Sequence, residues 1–165
     1  VIDVLLPYNL GAFGIRPREW SGLTGIIFAP FLHAHFFHIL SNTISLFILT
    51  LVILIAYRSI APGVMVLAIV LGGLGVWIVG RSGTVHLGAS GLIYSLAGFL
   101  IAAGFYSKRF WPLLVSILIG ITYGGLIWGV LPSRPYISWE GHLFGAIAGV
   151  LLAWLYRAKI KSMYK

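Results

Sequence analysis

Five apolar runs, each near the length needed to cross a bilayer, constrain this 165-residue chain more than any other feature. They lie at about 37–57, 62–80, 88–106, 110–130 and 139–156. A helix needs about 20 predominantly apolar residues to span the hydrocarbon core. Short breaks separate the runs: Arg58 to Pro62, Arg81 to Gly83, Ser107 to Arg109, and Pro132 to Pro135. An open strand in lipid would leave backbone groups without partners, so each run is expected to be helical. The fold class that follows is all-α, a polytopic membrane bundle. Composition agrees: 60% of residues are apolar, 8% are charged and the mean hydropathy is +1.04. A soluble domain uses roughly 25% charged residues to wet its surface.

No polar linker or low-complexity tract divides the chain, so 1–165 is expected to form one membrane domain. Residues 1–36 mix Gly11, Gly14, Pro17, Gly22, Gly25 and Pro30 with aromatics, which precludes one long helix and suits a compact loop in the membrane interface. Val1 to Leu6 is apolar but too short to span, and reads as the end of a further helix. No cleavable signal peptide is read there. Residues 157–165 read as a basic cytoplasmic tail. The absence of cysteine excludes disulfides, thiolate metal sites and cysteine nucleophiles.

The net charge of +8 is spread singly between apolar runs, a topogenic pattern rather than a nucleic-acid surface. With five spans the loops alternate sides. One side collects Arg16, Arg18, Arg81 and Arg134 with all three acids, Asp3, Glu19 and Glu140. The other collects Arg58, Lys108, Arg109, Arg157, Lys159, Lys161 and Lys165 and no acid. Four basic residues against seven make the second side cytoplasmic. The spans beginning near 37, 88 and 139 therefore start on the outer side.

Polar groups are costly in lipid, and those in the spans mark function. The first turns of the three outward-starting spans carry His38 and Asn42, then Ser90 and Tyr94, then His142. His38 and Asn42 are four apart, as are Ser90 and Tyr94, so each pair shares a helix face. Small residues continue these faces: Ala97 and Gly98 below Ser90, and Gly145, Ala146 and Gly149 below His142. Such stripes let membrane helices approach closely, which is expected to bring the Ser90 hydroxyl within reach of the His142 imidazole. Packing alone accounts for the glycines, but not for a histidine above them opposite a serine. A Ser–His pair suits acyl transfer, the imidazole taking the serine proton during attack on a carbonyl. Glu140 is the acid nearest His142 but points to another helix face. Tyr94 is expected to orient the imidazole by stacking. His38, the Asn42 amide and the Ser90 backbone N–H are candidate oxyanion donors. Gly88 and Gly91 flank Ser90 and let backbone and substrate come close.

The Gly88-Ala89-Ser90-Gly91 motif followed by Tyr94 resembles the nucleophile motif of the rhomboid family of intramembrane serine proteases. His38-Ile-Leu-Ser-Asn42 resembles that family's His-xxx-Asn motif, and Gly141-His142-Leu-Phe-Gly145-Ala-Ile-Ala-Gly149 its last core helix. Gly14-Ile-Arg-Pro-Arg18 and Pro30-Phe-Leu-His33 resemble the first loop of bacterial members. The resemblance implies Ser90 as nucleophile, His142 as general base, Tyr94 stacked on His142, and His38, Asn42 and the Ser90 amide around the oxyanion. It also implies a substrate gate formed by 110–130 and the loop Leu131 to Ser138. The implied activity is cleavage of single-span membrane proteins near the outer face of a bacterial plasma membrane, with no cofactor or metal. The family core has six helices, of which this chain carries five and the end of the first. The Trp-Arg pair that some members carry in the first loop is absent, though Arg18, Glu19 and Trp20 lie in that region.

Other chemistries fit less well. His33, His35 and His38 do not share a helix face, and interfacial anchoring suits His33 and His35 better than a metal site. The spans contain no aspartate for an aspartyl protease. Lys108, the lysine nearest Ser90, lies at the far end of its span. The alternative retained is a catalytically inactive relative that binds membrane proteins without cutting them.

Overall fold

The computed structural model describes residues 10–33, 36–132 and 137–164. Val1 to Leu6, His35 and Arg134 lie outside the described residues. Among those described there are seven α-helices and no strand: α1 (Gly25–Phe28), α2 (Phe36–Ala56), α3 (Ala61–Val79), α4 (Ser90–Ser107), α5 (Phe110–Tyr123), α6 (Trp139–Leu155) and α7 (Arg157–Met163). Among the described residues four spans are long and apolar enough to cross a membrane, or five if α6 and α7, joined at a 62° bend, are taken as one. The chain is an integral multi-pass membrane protein.

Local chemistry sets the span ends. Pro62 sits in the first turn of α3, where its missing N–H costs nothing. Ser138 caps α6, its hydroxyl oxygen accepting the Gly141 N–H. Past Tyr123 the fourth span tightens into a 3-10 helix, Gly124–Val130, which completes the crossing.

The centre of the bundle is α4. Of an eighteen-residue stretch of each span, 61% is buried in α4 but only 17%, 28% and 11% in α2, α3 and 110–130. Leu96, Phe99, Leu100 and Ala103 are sealed between the other spans, with Leu49, Ile53, Val64 and Leu152 facing them. The outer faces carry exposed Phe47, Ile55, Ile121 and Trp154, which suit lipid rather than water. The α4–α6 contact is the closest. A methyl group added at Gly98 would lie 2.9 Å from the Ala146 carbonyl oxygen, and one at Gly149 only 2.7 Å from the Phe99 amide nitrogen. Only hydrogen fits at these crossings, which is the packing expected of a small-residue stripe.

Residues 10–33 form short helical turns laid against the end of α3. The Arg18 amide and guanidinium donate to the Trp77 and Ile78 carbonyls, each at 2.9 Å, and the Trp77 indole donates to the Glu19 carbonyl at 2.8 Å. Trp20 and Phe31 stay exposed, as an interfacial loop requires.

The basic segment after α6 is itself helical. Residues 157–163 form α7, which turns back under the bundle with Ile160 fully buried. The Tyr164 hydroxyl donates to the Ala56 carbonyl at 2.5 Å, and its ring meets that of Tyr57. An amphipathic turn hidden among lysines is the reason: Ile160 and Met163 face α4 while Lys159 and Lys161 face out.

Candidate active site

Ser90 is the first residue of α4 and His142 lies in the first turn of α6, so the α4–α6 approach sets their separation. The Ser90 Oγ is 2.9 Å from His142 Nε2. His142 Nδ1 is 2.9 Å from the Gly129 carbonyl oxygen. A carbonyl only accepts, so the imidazole proton sits on Nδ1 and Nε2 is left to accept from the serine hydroxyl. That tautomer is the one a general base requires.

Tyr94, one turn below Ser90, stacks on His142 with ring centroids 4.2 Å apart and planes 5° from parallel. The Tyr94 hydroxyl donates to the Leu126 carbonyl at 2.8 Å. The imidazole is thus held in its plane by a ring and along its axis by a backbone carbonyl. Both carbonyls belong to the 124–130 turn. Nothing in the sequence marks a carbonyl, so these two partners were not legible there.

On the other side of Ser90, His38 and Asn42 of α2 converge on Gly88. A methyl group added at Gly88 would lie 3.1 Å from His38 Nε2 and 3.6 Å from Asn42 Nδ2. Gly88 also has φ +108°, a conformation that L side chains rarely adopt, so glycine is needed twice over. Gly88 thus supplies the turn and the close approach to His38 and Asn42 just before α4 begins. Gly91, Gly98, Gly145 and Gly149 do lie at the α4–α6 contact. The Asn42 side chain is buried and its Nδ2 has no partner among the described residues, although a buried amide ordinarily finds one.

Glu140 is 2% exposed and turned away from the Ser–His pair. Its carboxylate accepts from the Arg81 Nε at 2.6 Å, a link between the α3–α4 loop and α6. The same loop brings in His86, which sequence reasoning passed over. His86 is buried, with ring nitrogens 2.5 Å from Ser138 Oγ and 2.9 Å from Thr84 Oγ1. A histidine in a short loop between apolar spans was the available signal. Burial lowers the His86 pKa below the ordinary value, with Glu140 pulling it up and Arg81 pushing it down. A small cavity of about 50 Å³ adjoins the site, with Gly88, Ser90, His86 and Ser138 in its wall. Among the described residues no group of histidines and acids could hold a metal ion. His33 lies against His38, ring centroids 5.1 Å apart.

The sequence model described as the Rhomboid domain matches residues 20–159. An uncharacterized protein of Mycobacterium tuberculosis, Rv1337, is 39% identical over 96% of this chain and 69% of its own length. An uncharacterized protein of Mycobacterium leprae, ML1171, is 37% identical over 96% of this chain and 66% of its own. The Bacillus subtilis protein named "Putative rhomboid protease YdcA" is 30% identical over 98% of this chain and 78% of its own. No solved structure matches the chain at a significant level. A match over most of the length, on a bundle whose α2, α4 and α6 bring His38, Asn42, Ser90 and His142 to one end, means that the chain belongs to the rhomboid family.

Proposed function

We propose that this protein is an intramembrane serine endopeptidase that cleaves single-span membrane proteins near the outer face of the membrane. The observation that carries the reading is the 2.9 Å Ser90–His142 contact with Nδ1 committed to the Gly129 carbonyl. In this reaction Ser90 Oγ attacks the scissile carbonyl while His142 Nε2 takes the hydroxyl proton. The carbonyl oxygen becomes an oxyanion facing His38, the Asn42 amide, whose Nδ2 has no partner among the described residues, and the Ser90 N–H. The C–N bond then breaks and the leaving amine receives the proton from Nε2, leaving an acyl ester on Ser90. Water, deprotonated by His142, attacks that ester, and Ser90 is restored with release of the acid. The cavity beside Ser90 has room for a water on the 10–15 Å³ scale that one needs.

The outward orientation is supported by charge. Arg81 and Arg16 on that side are paired with Glu140 and Glu19, at 2.6 and 3.9 Å, whereas the opposite side has seven basic residues and no acid. The 110–130 span, least buried of the four, suits the part of substrate gate. The test is labelling by a fluorophosphonate probe in membranes. Wild-type protein is expected to label at Ser90, and His142→Ala to label far more slowly. Failure of wild-type protein to label would point instead to a relative that binds without cutting.

A further inference from the structure

The α3–α4 loop holds a histidine that the proposed reaction does not use, and its hydrogen bonds have one consistent direction. The Thr84 hydroxyl donates to the Arg81 carbonyl at 2.6 Å, so toward His86 Nε2, 2.9 Å away, it can only accept. The His86 proton therefore sits on Nε2, and Nδ1 is an acceptor. The Ser138 hydroxyl donates to that Nδ1 at 2.5 Å, and the same oxygen accepts the Gly141 N–H at 3.2 Å. A neutral His86 thus satisfies every group in the chain from Gly141 to Arg81. Its backbone is equally fixed: the His86 N–H donates to the Ile15 carbonyl at 2.9 Å and its carbonyl accepts from Ile15 at 3.0 Å.

This anchored ring joins the two halves of the site. Four residues after His86 the same loop delivers Ser90. Ser138, which His86 holds, caps the helix that delivers His142. A closed circuit results, running from Ser90 back along the loop to His86, across to Ser138, into α6, and from His142 to Ser90 again. The Arg81–Glu140 pair ties loop and helix together at a second point, and two points of attachment stop the first turn of α6 from swinging about either one. We propose that His86 is a positioning residue for the Ser90–His142 pair, fixing its separation through the cap of α6. The proposal rests on the protease reading above. A misplacement of about 1 Å in a reacting group can cost about 100-fold in rate, so the circuit acts on turnover rather than on substrate binding.

The test uses full-length protein reconstituted in liposomes with a single-span substrate. His86→Phe keeps a ring but no acceptor, and is expected to lower kcat by roughly 10- to 100-fold with little change in KM. His86→Asn, whose amide reaches the place of Nδ1, is expected to recover most of that loss. Ser138→Ala removes the same bond from the other side. It should lower kcat comparably, and the double variant should fall little further. Wild-type kcat in His86→Phe, a loss that only follows the fraction folded, or additive losses in the double variant would overturn the proposal. If wild-type protein neither cleaves nor labels, the protease reading has failed. The positioning claim is then read from the 15N spectrum of histidine-labelled protein. The His142 Nε2 resonance should move in His86→Phe and return in His86→Asn; an unmoved resonance refutes the role of His86.

Discussion

Gly145→Ala puts one methyl group where the two site-bearing helices are closest. Gly145 lies one turn below His142, and a Cβ there would meet the Gly91 Cα at 3.2 Å and the Gly91 carbonyl carbon at 3.0 Å, with its oxygen closer still. Ordinary contact begins at 3.4 Å, so the carbonyl carbon alone asks for the difference, 0.4 Å, and the oxygen for more. These are backbone atoms of α4 and no side chain can swing aside, so the first turns of α6 must move away as a body. The Ser90–His142 O···N distance of 2.9 Å lies within the roughly 2.7–3.2 Å usual between nitrogen and oxygen, and a further 0.4 Å carries it past that range. The shift breaks it. General-base assistance is worth about 10²–10⁴ in rate, so kcat is expected to fall at least about 100-fold. Overpacking costs about 1–3 kcal/mol, which leaves a domain of ordinary stability, about 5–15 kcal/mol, folded. The assay is the initial rate on a single-span substrate in liposomes, read beside the detergent melting temperature. Gly120→Ala is the control, because a methyl there meets nothing within 4 Å. If Gly145→Ala keeps kcat within threefold of wild type, the claim that helix approach sets the dyad distance is wrong.

Asn42→Ala is expected to lower kcat by about 10²–10³ while the melting temperature changes little. The Nδ2 that it removes has no hydrogen-bond partner among the described residues, so its loss takes no such bond from them; equal losses of rate and stability would mark Asn42 as structural. Arg81→Ala leaves the buried Glu140 carboxylate without its half-exposed partner, and is expected to destabilise by roughly 1–3 kcal/mol in a denaturant titration. Recovery in Arg81→Ala with Glu140→Gln should accompany it. His86 contributes a pH dependence whose sign follows from its lowered pKa, set by burial with Glu140 and Arg81 beside it. The unfolded chain protonates this histidine near 6.5 and the folded one only at lower pH, so stability holds above 6.5 and falls as pH drops below it. His33 is lowered also, by burial. The quantity to measure is therefore the difference between wild type and His86→Asn, whose melting temperature should fall less from pH 7 to pH 5.

Much of the fold is written in hydropathy. Apolar runs near bilayer length can only be helices, and the five expected runs fall on α2, α3, α4, 110–130 and α6. The centrality of α4 follows from Gly98 and Gly104, which admit α6 and α5 so closely that no other span can take its place. The nearness of Ser90 and His142 was legible for the same reason, since small faces drew their helices together. The α7 turn was hidden because its apolar residues are few and sit among lysines. The partners of His142 and Tyr94 are carbonyls of Gly129 and Leu126, and a carbonyl's direction depends on the 3-10 turn that aims it. The pairings of Arg81 with Glu140 and His86 with Ser138 span 59 and 52 residues, and only the folded loop brings them together.

Ser90 and His142 are proposed to act together in cutting a peptide bond of a membrane-spanning substrate. The direct measurement is cleavage of a single-span protein by the purified full-length chain in liposomes, with the cut mapped by mass spectrometry. Wild-type protein is expected to cut at one site near the outer membrane face, and Ser90→Ala and His142→Ala to leave the substrate whole. Cleavage at the same site by either variant would contradict the claim.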